Sequence, residues 1–298
     1  PRRSIELIMF TAEEPTRFAF GCLGSRVMAG VVDDARLARL RDADGGTLQQ
    51  ARAAAGMTGE VGSARLDAGH YSAFLELHIE QGPELERTGV PIGVVTAIAA
   101  PATLRVELTG EGGHAGAVLM GIRHDPLVAA AEVVQAVDRL ARGTGAEDTV
   151  GTVGLLTVEP GAVNSIPRRV RMDIDVRDTD RERRDGVLEA VRAAGRDAAA
   201  ARGVGHHDEV LNQDGPATSD AACLVAIEEA CAEEGLPFTR MVSRAYHDTV
   251  FMARICPTAM IFVPSAGGIS HRPDEVTSPE EITRGTQVLA GALARLAV

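Results

Sequence analysis

The sequence predicts an α/β protein in which a small inserted domain interrupts a larger one, and three observations carry that prediction. Three nearly unbroken apolar runs, "SIELIMF" (4–10), "SAFLELHI" (72–79) and "TAMIFVPS" (258–265), read as strands buried in an α/β sheet, and they lie in both flanks of the chain. The middle follows a strand–helix–strand, strand–helix–strand order, the ferredoxin-like βαββαβ pattern. Finally, 298 residues are enough for two compact units.

The first flank continues from its opening strand into helical material near Gly24–Gly30 and Asp33–Arg41. In the middle, "ATLRVELTG" alternates as a strand, and "DPLVAAAEVVQAVDRLARG" is an amphipathic helix ended by Gly143. "DTVGTVGLLTVEPG" and "RRVRMDIDVRDTD" are two further strands. In the latter Val170, Met172, Ile174 and Val176 share one face, with Arg171, Asp173, Asp175 and Arg177 on the other. A helix over about Arg181–Arg202 and a short strand near "DEVLNQ" close the pattern. The inserted domain is therefore placed at residues 98–207 and the larger one at 1–97 with 208–298. A helix from about Pro279 to Leu296 ends the chain.

Composition narrows the function. A net charge of −12, with no basic cluster interleaved with aromatics, argues against a nucleic-acid partner. No apolar run approaches the ~20 residues a membrane span needs. Cys22, Cys223, Cys231 and Cys256 show neither CxxC nor disulfide-dense spacing, so they read as thiols of a reducing, cytoplasmic compartment. The chain opens at Pro1, already running into a strand, and reads as a fragment whose leader or missing piece lies upstream.

Polar groups recur at the carboxyl ends of the apolar strands, where ligands of open α/β sheets bind. Glu13 and Glu14 follow the first run, His78 ends the second, and His271 follows the third. Singly, each has an ordinary structural explanation: paired glutamates are usually solvated, and a strand-end histidine is usually hydrogen-bonded within the fold. Together, two imidazoles and two carboxylates form a plausible N/O metal centre for hydrolysis.

The segments "TAEEPTRF…GCLGSR", "LELHIEQGP", "GGHAGAVLM", "GAVNSIP", "DVRDTD", "SRAYHD" and "IFVPSAGGISHRP" occur in this order across nearly the whole chain. Together they resemble the hydantoinase/carbamoylase family of dinuclear metal amidohydrolases, relatives of the aminoacylase and carboxypeptidase-like metallopeptidases. The resemblance implies a metallopeptidase-like α/β/α catalytic domain, with the inserted domain as lid and dimerisation domain of a homodimer. Pro15 and Tyr246 stand where most of that family has glycine, and "HAGAVLM" where most read "HAGTTPM". With "NSIP", these resemble the branch that acts on (S)-ureidoglycolate; allantoate and N-carbamoyl-L-amino acids are the alternative substrates. A homologue that keeps the fold without catalysis is the alternative of another class.

The resemblance also implies roles. Glu14, His78 and His271 become metal ligands and Glu13 the general base beside them, since a bound metal lowers the pKa of water from 15.7 toward ~7. It implies two divalent ions, manganese first, with zinc, cobalt or nickel compatible with the N/O donors. A further histidine and a bridging aspartate are expected from a segment before Pro1. His114 becomes a stabiliser of the tetrahedral oxyanion, reaching a partner subunit's site. Asn164 and Arg177 grip the substrate carboxylate, and Gln81 donates to the ureido group. Arg177 could instead pair with Asp175 or Asp178. Tyr246, with His247, could read a substrate hydroxyl; Tyr246 could equally pack at a helix start. His70, His124, His206 and His207 match no motif and read as surface residues.

Overall fold

A computed structural model describes residues 2–298. The chain divides into two compact units, Pro1–Ile98 with Ala217–Val298, and Ala99–Pro216.

The second unit follows from its alternating strands. Ala100–Thr109, Val150–Glu159, Arg169–Asp178 and Gly205–Gln213 form one antiparallel sheet, with Val150–Glu159 at one edge and Gly205–Gln213 at the other. Val170, Met172, Ile174 and Val176 are fully buried, as are Leu104, Val106 and Leu108 on the neighbouring strand. The helices Pro126–Gly143 and Arg181–Arg202 cover that face through Ala129, Val133, Val187, Leu188 and Val191. Asp125 and Asp180 cap these helices by accepting from Leu127 N and Arg183 N, and Gly203 ends the second in a left-handed conformation (φ 64°). On the sheet's open face Arg105 pairs with Asp173 and Arg169 with Glu107.

In the first unit the main sheet runs Phe74–Ile79, Thr258–Val263, Ile92–Ile98, Phe238–Ser243. The outer pairs are parallel and the central pair antiparallel. Ile92–Ile98 and Phe238–Ser243 are strands not anticipated above. One helix face of Cys223, Ala226, Ile227 and Ala230, with Val288 and Ala292 from the closing helix Pro279–Leu296, packs on Ile92, Val94, Ala259 and Ile261. That closing helix starts in a capping box between Ser278 and Glu281.

One expected strand does not form. Residues 4–10 form no strand or helix, and Leu7 and Met9 are each 95% exposed. An apolar run becomes a strand only where a neighbour accepts its backbone hydrogen bonds, and among the described residues no strand pairs with it. No helix among the described residues is long and apolar enough to cross a membrane.

Candidate metal centre

Glu13 and Glu14 therefore sit in a loop, and the segment after them holds it. Gly24 N donates to Thr11 O (3.0 Å), Leu23 N to Ala12 O (3.1 Å) and Cys22 N to Glu13 O (2.8 Å). The glycines of "GCLG" make this approach possible: a Cβ on Gly21 would stand 2.8 Å from Glu13 O, and one on Gly24 2.9 Å from Thr11 N. Ala12 adopts a left-handed φ of 53°, a conformation alanine rarely accepts without support. The paired backbone supplies that support and turns the two carboxylates apart.

Glu13 turns inward. Its carboxylate, His78 and His247 each offer a ligand atom within 4.8 Å of the others. His78 comes from the end of its strand, its Nδ1 on Ile79 O (2.8 Å), and its ring meets that of His247 edge-on at 4.6 Å. His247 is fully buried; its Nε2 shares a hydrogen bond with Ser243 Oγ (2.8 Å), whereas its Nδ1 makes none. Burial, then the charge of Glu14, raises the Glu13 pKa above the usual carboxylate range, against the opposing pull of His78 and His271. Burial, reinforced by His78, holds the His247 imidazole well below its usual proton affinity. An N/O donor set with one buried, unsatisfied imidazole nitrogen fits a divalent first-row ion.

Glu14 turns outward. Its Oε1 lies 3.0 Å from His271 Nε2, and both side chains are substantially exposed. His271 also holds a left-handed φ, of 57°, and its N donates to Glu275 Oε2. The structure thus assembles Glu13, His78 and His247 into one cluster and Glu14 with His271 into a pair. His247 stands among the candidate metal ligands, whereas the sequence reading gave it to the substrate.

Gln81, again at a left-handed φ (56°), donates its backbone N to buried Ser265 Oγ at 3.0 Å. Tyr246 is half-buried, its ring edge-on to Phe251 at 5.4 Å. In the second unit His114 pairs in register with Ser165, and Ala115 N donates to Asn164 O, so His114 and Asn164 share one corner. A cavity of about 540 Å3, lined by Ala115, Arg123, Val163 and Ser165 among others, adjoins it. Arg177 lies elsewhere. Gly110 N donates to Arg168 O beside that corner, whereas Arg177 stands near the far end of the strand that follows, Arg169–Asp178. There its Nε donates to Asp175 Oδ1 at 2.7 Å, the alternative pairing its sequence allowed.

Three polar residues beside the cluster escaped the sequence reading. Glu76 lies two residues before His78, hence on the same strand face; its Oε2 accepts from Thr249 N and Oγ1, and burial raises its pKa. Asp248 is buried, accepts from Ser25 Oγ, and is pushed up to about 7, first by burial. The period-2 rule could have found Glu76, and Asp248 closes the motif "SRAYHD". Ser25 had no signal beyond its place in "GCLGSR".

The chain belongs to Peptidase family M20/M25/M40, whose pattern it matches over residues 1–295. Within that family it is 50% identical over its full length to the ureidoglycolate hydrolase of Oryza sativa subsp. japonica, and spans 63% of that protein. Among solved structures it resembles AtUAH in complex with (S)-hydroxyglycine (46% identity, TM-score 0.86, covering 97% of this chain and 70% of that one). It also resembles a hydantoinase/carbamoylase family amidase from Burkholderia multivorans (35% identity, TM-score 0.83, covering 97% and 69%).

Proposed function

We propose that the full-length protein is a metal-dependent amidohydrolase that cleaves the carbamoyl C–N bond of (S)-ureidoglycolate. Water adds across that bond, ammonia leaves, and the resulting carbamate releases carbon dioxide. The hydroxyglycine left behind loses its own ammonia to become glyoxylate. The observation that carries the reading is the Glu13 carboxylate, its proton affinity raised, beside His78 and a buried imidazole with an unsatisfied nitrogen. The names of the similar proteins, including one bound to (S)-hydroxyglycine, support the substrate.

Glu14 and His271 would hold one divalent ion, and His78 a second, with His247 within reach of it. A histidine and a bridging aspartate from the remainder of the full-length protein would complete the set. Manganese is the proposed metal. When bound, the ions would polarise the carbamoyl group and acidify water. Glu13, half-withdrawn from solvent, takes the proton and returns it to the leaving nitrogen. Tyr246 reads the substrate hydroxyl and Gln81 the ureido group.

We assign the unit Ala99–Pro216 the lid and dimerisation role in a homodimer. Its Leu119, Met120, Ile122 and Val163 are exposed, as are Leu155 and Leu156 on the edge strand. The separation of Asn164 from Arg177 supports the same reading. His114 and Asn164 share one corner while Arg177 stands near the far end of Arg169–Asp178, so in this reading His114 and Asn164 would act on the partner's substrate. Four buried thiols without a disulfide suit a cytoplasmic setting.

Steady-state kinetics on the full-length protein with (S)-ureidoglycolate, allantoate and an N-carbamoyl-L-amino acid test the substrate. Best kcat/KM on an N-carbamoyl amino acid would refute the assignment, and no turnover of any of them with metal bound would leave a non-catalytic homologue.

A further inference from the structure

The sequence motif "GCLGSR" ends in a residue that the proposed chemistry does not use. Arg26 is only 6% exposed, so its charge is held inside the fold. Its Nε donates to Gly21 O (3.0 Å), within the loop that holds Glu13, and its Nη2 donates to the Tyr246 hydroxyl at 3.2 Å. The guanidinium carbon stands 4.1 Å from the Phe251 ring centre, 4.9 Å from Phe20 and 5.7 Å from Tyr246. The chain has nine aromatic residues (Phe 7, Tyr 2), and three of them surround this one cation.

That environment fixes the cation in place. A guanidinium is planar, keeps its charge when buried and stacks on aromatic faces, so rings on several sides hold it while its edge nitrogens bond. It can only donate. The Tyr246 oxygen must therefore accept from it, which fixes where that oxygen stands and directs its single proton elsewhere. Ser25, next along the same short helix Leu23–Met28, holds Asp248, so one turn of helix anchors both ends of the Tyr246–His247–Asp248 segment.

We propose that Arg26 is a positioning residue for Tyr246 and thereby sets the preference for a substrate carrying a hydroxyl over the same substrate without it. The inference rests on the ureidoglycolate reading and on Tyr246 as its hydroxyl reader. A site built to hydrogen-bond a hydroxyl discriminates strongly against the analogue lacking it, provided the partner is held in place.

The test compares kcat/KM for (S)-ureidoglycolate with that for N-carbamoylglycine, the same skeleton without the hydroxyl, on the full-length, metal-loaded enzyme. Arg26→Lys keeps the charge but cannot form the planar fork. It should lower the ratio at least about tenfold, through KM for the hydroxylated substrate, while kcat on N-carbamoylglycine stays within about twofold. Tyr246→Phe should lower the same ratio at least as far, and the double variant should be no worse than the poorer single one. An equal loss on both substrates, or an unchanged ratio, overturns the proposal. Should Arg26→Lys fail to fold, Phe20→Leu takes its place. It removes one stacking ring without touching Tyr246, and an unchanged ratio there overturns the proposal too. If the wild-type enzyme itself shows no preference for the hydroxylated substrate, the substrate reading fails. The positioning claim is then judged on a crystal structure of Arg26→Lys: a displaced Tyr246 ring upholds it, and an unmoved one overturns it.

Discussion

Glu13 and Glu14 are adjacent and chemically identical, yet they occupy opposite environments. Glu13 faces two histidines in a half-buried cluster with its pKa raised; Glu14 faces His271 in the open. Backbone geometry makes the difference. The left-handed Ala12 and the hydrogen bonds from Cys22, Leu23 and Gly24 pin the loop so that successive side chains diverge. The contrast shows how one dipeptide can supply two functions: a carboxylate kept from full solvation holds a proton more readily, and an exposed one paired with imidazole is available as a ligand.

Replacing the inward residue gives the largest expected effect. Glu13→Gln in the full-length enzyme should cut kcat by ~10^2–10^4-fold while metal content by elemental analysis stays near wild type. If turnover persists, the inward carboxylate is not the base. Replacing the outward pair should reverse the pattern. His271→Ala should lower bound metal by about one ion per chain, with activity partly restored by excess metal; full retention of both ions would erase the distinction between the two glutamates.

A smaller effect is expected from the support behind the inward cluster. Ser25→Ala removes the donor to buried Asp248 and should cost ~1–3 kcal/mol in denaturant-induced unfolding. A loss below that range would mean that the segment carrying His247 is held by other contacts.

The smallest effect concerns a carboxylate shifted the other way. The Arg105 guanidinium, hydrogen-bonded to Asp173, holds that carboxyl below its usual range. A group with a lowered folded-state pKa contributes stability above its unfolded value of ~3.9 and loses it as pH falls through the folded value. Both side chains are partly exposed, so Arg105→Ala should cost less than ~1 kcal/mol at neutral pH. The difference from wild type should shrink as melting is followed below pH ~4; a constant difference would mean that Arg105 acts through packing rather than charge.

The inserted unit was the more legible region. Its strand Arg169–Asp178 alternates without a break, and its helices carry Asp caps and, after Arg202, a terminating glycine, so periodicity and caps place them with little tertiary help. In the flanks the same reasoning failed where pairing decides. "SIELIMF" has a strand's composition and no pairing strand among the described residues, and "IGVVTAI" became a central strand. At the site, His78 and the two glutamates stood out because they follow apolar runs. Glu76 shares a strand face with His78 and Asp248 lies in "SRAYHD", but the pairing of Asp248 with Ser25, 223 residues apart, leaves no local trace.

The sequence by itself determined the two helices and four-stranded sheet of the inserted unit, the closing helix and the residue types of a metal centre, because periodicity, caps and side-chain chemistry are local properties. Only the tertiary structure decided that Glu13 meets His78 and His247 while Glu14 meets His271, and that Arg26 holds Tyr246. Those partnerships join residues up to 257 positions apart, through backbone bonds and close glycine contacts that no local pattern encodes.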